Sequence, residues 1–455
     1  MTSPTGPRAT RRGAILGAAA LTVLPLEAPR AAEGAARRRP LPIVFVHGNG
    51  DTRALWTTTI WRFESNGYPR DRLFAIDLRN PSASAVYNVP QPGRSTAEEV
   101  KDQLAAFVKD VLRRTGAAKV VLVGNSRGAN TIRNYVKNGG GAAVTEKVVL
   151  GGGVNHGVVN SEVILVGSEF NGASEFLEQL NAGPNEVVAG VDFLTLRSDR
   201  FDKFAQPDGR YLGAPGVPTG VTFAGPELDG ATNLVLPGVD HRETSYSRQA
   251  FARTYRFITG SAPRTLEILP ERRPALSGKV TGATAGAYDN VGVAGARLRI
   301  YVTDRETGKR LGDRPVYATT TGASGAWGPF RADPEVQYEF VVSAAGFPVT
   351  RIYRSPFPRS SSVVTLRPAL ASDASATEGT VILARPRGYL GRDDTVLVDG
   401  ERPAGIPDDP VPSVDRVTLR LPPTPQRAVR TRFERERITV RVPPAGEVVF
   451  AELPY

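Results

Sequence analysis

Short runs of uninterrupted apolar residues punctuate the chain from Leu41 to about Gly260, and longer amphipathic stretches separate them. Ile43-Val-Phe-Val46, Arg72-Leu-Phe-Ala-Ile-Asp-Leu78 and Lys119-Val-Val-Leu-Val123 come first, followed by Lys147–Leu150, Val191–Leu196 and Ala231–Leu236. A strand covered on both faces has no polar side to keep, so it reads as a continuous apolar run. Between the second and third runs, Val100, Leu104, Phe107, Val108, Val111 and Leu112 recur at the helical period. Ser95 with Glu98 offers a capping box at the start of that helix, and Gly116 a terminator. A closing helix is expected from about Glu243 to Ile258. Alternating strands and helices predict a parallel sheet with helices on both faces over residues 40–260.

The pattern changes after Gly260. Pro263, Pro270 and Pro274 mark a linker, and from Leu276 the apolar positions alternate with polar ones. Ala296-Arg-Leu-Arg-Ile-Tyr-Val302 and Tyr338-Glu-Phe-Val-Val342 have the period of half-buried strands, with Thr307-Gly308, Gly322 and Gly325 as turns between them. A Pro- and Ser-rich break near Pro368–Ala376 precedes a last β-rich stretch. The expectation is an α/β domain followed by β-sandwich or β-barrel modules at 276–370 and 377–455.

A chain of 455 residues exceeds one ordinary core, which agrees with that division, and 47 Gly and 37 Pro supply the turns. The net charge of +11 comes from scattered arginines with acids nearby. No basic stretch is interleaved with stacking aromatics, so no nucleic-acid partner is expected. The basic run from Arg427 to Arg441, with Glu434 and Glu436 within it, reads as the solvated face of strands. There is no cysteine, hence no disulfide and no thiolate metal site. Arg11 and Arg12 stand before the apolar stretch Gly13–Leu24, with small residues at Ala31–Ala36. That order predicts a signal peptide over residues 1–36, of twin-arginine type, and a secreted protein, extracellular or periplasmic. No other apolar run is long enough to predict an integral membrane segment.

Candidate chemistry sits at the ends of the apolar runs. Gly124-Asn-Ser-Arg-Gly128 follows one directly and precedes a helical stretch, the context in which a serine at a sharp strand-to-helix turn becomes a nucleophile. His47-Gly-Asn-Gly50 follows the first run, so the backbone amides of Asn49 and Arg127 can form an oxyanion hole. Of three histidines, His47 lies in that loop and His156 shapes the loop beneath the site. His241 follows the last run, where the order serine, acid, histidine places the base. The acid should follow Val191–Leu196, where both Asp202 and Asp199 stand; Asp202 is favoured, with an apolar residue and then Pro207 after it. Residues 158–190 exceed an ordinary connection and carry Val163, Ile164, Leu165, Val166 and Phe170, either a mobile lid or an insert packed on the core.

These pieces resemble secreted bacterial and archaeal lipases of the α/β-hydrolase superfamily. Val44-Phe-Val-His-Gly48, Leu122-Val-Gly-Asn-Ser-Arg-Gly128, Gly153-Val-Asn-His-Gly157, Ser174-Glu-Phe-Leu-Glu-Gln-Leu-Asn181 and Val239-Asp-His241 carry the likeness, although Asn125 stands where many of those lipases have His. Gly308-Lys-Arg-Leu311, Tyr338-Glu-Phe340 and Ile352-Tyr-Arg-Ser-Pro-Phe-Pro358 resemble the β domain attached to some of them, which implies help in binding long-chain substrate. Gly295-Ala-Arg-Leu-Arg-Ile with Thr321-Gly-Ala-Ser-Gly-Ala-Trp327 is similar to a carboxypeptidase-regulatory-type sandwich. The resemblance implies a lipase or carboxylesterase acting on lipid or other hydrophobic esters, at a lipid–water interface or in solution, without metal or organic cofactor. Two alternatives remain open at this point. One is a polyester (polyhydroxyalkanoate-type) depolymerase whose β modules grip a surface; the other is a surface-binding protein without catalysis.

Overall fold

Six of the apolar runs form one parallel sheet in the computed structural model, which describes Met1, residues 39–425 and residues 427–453. The expected export segment at 1–36 lies outside the described residues apart from Met1. The strands are β1 (Ile43–Val46), β2 (Leu73–Ala75), β3 (Val120–Asn125), β4 (Thr145–Gly151), β5 (Asp192–Ser198) and β6 (Thr232–Leu236), in spatial order β2-β1-β3-β4-β5-β6. Successive side chains leave opposite faces of a strand, so each run feeds two cores. Val44, Val46, Val120 and Leu122 join one, against α2 (Ala97–Thr115) and α3 (Arg127–Asn138). Ile43, Phe45, Val121 and Val123 join the other, with Trp56, Phe63 and Phe251 from α1 (Thr57–Ser65) and its neighbours. This is why the strands carry no polar alternation.

Three boundaries differ from expectation. The capping box of α2 is Thr96 with Glu99, one residue later than Ser95 with Glu98. Ser95 is otherwise engaged: its hydroxyl donates to the Asn80 carbonyl at 2.5 Å and accepts from Arg127 Nη1 at 3.0 Å. The second strand spans only Leu73–Ala75, because Leu78 has turned away to donate its amide to His47 Nε2 at 3.1 Å. The closing helix is two pieces, α5 (Glu243–Tyr246) and α6 (Arg248–Thr259), broken at Ser247, whose extended backbone lets its side chain cap Ala250.

The long connection after β4 holds one short helix, α4 (Glu175–Asn181), in which Phe176, Leu177 and Leu180 pack with Ala97. Val158 and Val159 are buried with Val154, whereas Val163 and Val166 are 85% and 60% exposed. The connection is therefore anchored at both ends and apolar at its outward tip.

From Ala275 on, described structure is strands and turns with a single short 3-10 turn at Ala371–Asp373. Ala275–Thr284 pairs with Ala287–Gly292, Ala326–Arg331 and Ser361–Leu366. A larger sheet runs Tyr317–Thr320, Arg297–Thr303, Gln337–Ser343, Thr350–Arg354, Val448–Glu452, Gly379–Ala384, Arg416–Leu421. The last strand among the described residues is thus inserted, parallel to both neighbours, between strands on either side of the expected break near 368–376. Residues Pro40–Tyr455 form one compact unit. Trp61 of α1 illustrates the joint: its ring packs in the core of the β half with Leu276 and Phe357, and its indole N–H donates to the Ser360 carbonyl at 2.8 Å.

Candidate active site

The strand-to-helix turn between β3 and α3 forces Ser126 to φ 54°, ψ −123°, a conformation that costs a non-glycine residue about 1–3 kcal/mol. Packing maintains it. A Cβ on Gly128 would lie 2.5 Å from the Val46 carbonyl oxygen and 2.7 Å from that of His47, so only glycine lets α3 start this close to β1. A Cβ on Gly48 would meet the Ser126 Cβ at 3.0 Å, which brings the loop after β1 over the serine.

His241 lies beyond β6 and Asp202 beyond β5, and the two loops converge. The imidazole Nδ1 stands 2.8 and 2.9 Å from the two Asp202 carboxylate oxygens, with both side chains buried. The carboxylate accepts, so Nδ1 carries the proton and Nε2 is left as the basic nitrogen. Nε2 is buried with no hydrogen-bond partner. The Phe204 ring meets the imidazole edge-on at a centroid distance of 4.7 Å, and the Phe204 amide donates to Asp202 at 2.9 Å. Asp199 is not brought to the imidazole. It accepts from the Arg200 amide at 2.7 Å, from Ser198 Oγ at 3.2 Å and from the Gly238 amide at 3.3 Å, closing its own turn. Asn125 ties base to serine through the backbone: its Nδ2 donates to the carbonyls of Gly151 at 3.0 Å and His241 at 3.4 Å.

The loop after β1 is held from below by His47, which is fully buried. Its Nδ1 donates to the Gly48 carbonyl at 2.9 Å while Nε2 accepts from Leu78. Burial holds the His47 pKa below its ordinary value, so the ring stays neutral, as this pair of roles requires. Asn49 Oδ1 accepts from the Ala83 amide at 2.8 Å, which orients the residue. Neither the Asn49 nor the Arg127 amide donates to another backbone group among the described residues outside the regular elements. His156 serves elsewhere: Nδ1 donates to the Gly225 carbonyl at 2.8 Å and Nε2 lies 2.7 Å from Glu186.

Ser126 and His241 open together on a pocket of about 190 Å³ walled by Val154, Val158, Leu165, Phe170, Phe204 and Tyr389. Apolar walls around two polar groups suit a substrate with one reacting bond and a hydrocarbon part. A cavity of about 250 Å³ lies across Asp51 and Arg242 from it, without Ser126 or His241 in its lining. No three His, Asp or Glu side chains converge as metal ligands among the described residues, and no described helix is long and apolar enough to cross a membrane.

Residues 40–204 match the family model of lipase (class 2), and residues 275–370 match that of the lipase C-terminal domain. The chain belongs to the lipase and esterase family of α/β-hydrolases. Among solved structures, the propeptide form of Bacillus licheniformis lipase BlEst2 is 15% identical, covering 88% of this chain and 96% of that one at a TM-score of 0.37. Its mature form is 20% identical over 48% and 90% at 0.34. Aspergillus fumigatus lipase B is 16% identical over 52% of this chain and 56% of its own, at 0.37.

Within that lipase frame, two features of the site were not legible from motifs. The Arg127 side chain, of which sequence reasoning used only the amide, is fully buried. It pairs with Glu169 at 2.6 Å and donates to the carbonyls of Pro81 at 3.0 Å and Ser95 at 2.8 Å, tying the serine turn to the long connection. Tyr389 reaches the pocket from the β half, across more than a hundred residues of chain. A positive side chain beside Ser126 would have signalled the first only if its acidic partner lay nearby in sequence.

Proposed function

We propose that this protein hydrolyses carboxylic esters of lipids, with Ser126 as nucleophile, His241 as general base and Asp202 as the acid that orients it. The observation that carries the reading is the Asp202–His241 contact at 2.8 Å, with an unpartnered Nε2 in the same pocket as a serine held at φ 54°. Ser126 Oγ attacks the ester carbonyl while its proton passes to Nε2. The carbonyl oxygen takes the negative charge, opposite the amides of Asn49 and Arg127. Collapse expels the alcohol, which receives the proton from Nε2, and leaves an acyl-serine. Water then attacks that ester by the same route, releasing the acid and restoring the hydroxyl.

The apolar walls, and the exposed Val163 and Val166 beside pocket residue Leu165, support a lipid-like acyl group presented at an interface. Export by the twin-arginine route belongs to the same reading, on the strength of Arg11 and Arg12 before Gly13–Leu24 and of the absence of cysteine. The test is Ser126→Ala, expected to lower p-nitrophenyl ester turnover by roughly a million-fold; retention of turnover sinks the mechanism. A chain-length series above and below micellisation then reads the substrate: a rate jump at the interface supports lipid esters, saturation below it does not.

A further inference from the structure

The loop that carries His241 and the loop that carries Asn49 are both held from the β half of the molecule. Asp240, immediately before His241, is buried. Its Oδ1 accepts locally from the amides of Arg242 and Glu243, each at 2.8 Å. Its Oδ2 accepts from Arg385 Nη1 at 3.0 Å and from the Tyr389 amide at 2.8 Å. The same guanidinium donates to Glu243 at 2.5 Å and to the Tyr246 hydroxyl at 3.2 Å, so Arg385 grips the chain on both sides of the imidazole. It is itself buried, 4.1 Å from the centroid of the Phe433 ring. Lys203, next to Asp202, donates to the Ser413 carbonyl at 2.8 Å.

The oxyanion side is built the same way. Asn290 Nδ2 donates to the carbonyls of Asp51 at 3.0 Å and Leu78 at 2.9 Å, and its amide to that of Arg79 at 2.9 Å. Arg367 donates to the Gly50 carbonyl and to Asn290 Oδ1, both at 3.0 Å. Charge-assisted bonds between buried groups are directional, and removing one partner leaves the other desolvated. Reaction geometry degrades quickly with displacement of the reacting groups.

We propose that the β half is part of the catalytic apparatus: Arg385 is a positioning residue for His241, and Asn290 with Arg367 positions the oxyanion loop. This rests on the Ser126–His241–Asp202 reading. It separates this protein from a hydrolase with a tethered binding module, in which the β half touches only long or insoluble substrates.

The experiment uses the full chain and a short soluble ester, with sites counted by titration to completion with a fluorophosphonate. Arg385→Met is expected to lower kcat per titrated site roughly ten- to hundred-fold with KM little changed, and Arg385→Lys to recover part of the loss. Asn290→Ala is expected to lower kcat about tenfold and weaken a boronic acid transition-state analogue in the same proportion. The exposed Arg430→Ala serves as control and stays at the parent value. Wild-type turnover per titrated site in Asn290→Ala, or in a folded Arg385→Met, overturns the proposal, as does a loss that only tracks the number of sites titrated. If Arg385→Met does not fold, Asn290→Ala decides. Activity surviving in Ser126→Ala would instead overturn the underlying mechanism and leave these contacts intact.

Discussion

The α/β half and the β half reach the same pocket by different physics. In the first, position follows from the sheet: Ser126, Asp202 and His241 come from loops that leave the same end of β3, β5 and β6, three strands of one parallel sheet. In the second, one loop, after the strand Gly379–Ala384, reaches the pocket wall through Tyr389. Long side chains and an asparagine amide cross the joint and donate to carbonyls and carboxylates of loops they do not belong to. The difference teaches that an accessory region can specify a site without supplying any reacting atom. A sheet sets where loops begin, and only their outer contacts set where they end.

The largest expected effect tests the first half of that contrast. Asp202→Asn leaves the imidazole with the wrong tautomer and should lower kcat by roughly ten-thousand-fold, whereas Asp199→Asn should stay within about twofold. Equal losses in the two variants, measured on one soluble ester, would mean that the Asp202–His241 contact does not assign the acid. The next concerns the joint. Trp61→Ala removes a buried indole from the core of the β half and should cost about 3–5 kcal/mol, read by denaturant unfolding as one cooperative transition. Two separated transitions would show halves that fold independently. The smallest effect lies in the loop after β1. His47 is held neutral, its pKa below 6.5, so the unfolded chain takes up this proton first as pH falls. Stability is therefore lost as pH drops below about 6.5, by at most about 1.4 kcal/mol per unit from this one group. In His47→Gln the slope of stability between pH 7 and 5 should flatten; an unchanged slope would mean that His47 is not buried neutral.

How much of this was legible depends on the range of the interaction. The serine turn was, because strand, turn and helix are contiguous and Gly128 has to be small wherever such a turn occurs. The sheet was, because burial on two faces leaves an unbroken apolar run. The capping box was read one residue early, since nothing local reveals that Ser95 is already committed to Asn80 and Arg127. The choice between two aspartates three positions apart was likewise closed to periodicity: Phe204 packing edge-on against the imidazole and Gly238 capturing Asp199 decide it.

The sequence by itself therefore determined the order of elements, the alternation that makes two cores, and the setting of Ser126, all of which follow from contacts a few residues long. The tertiary structure alone decided which carboxylate meets the imidazole and that Asn290, Arg367 and Arg385 brace the loops. Those outcomes depend on directional bonds between groups brought together from distant parts of the chain, and a hydrogen-bond donor carries no mark in sequence of the carbonyl it will find.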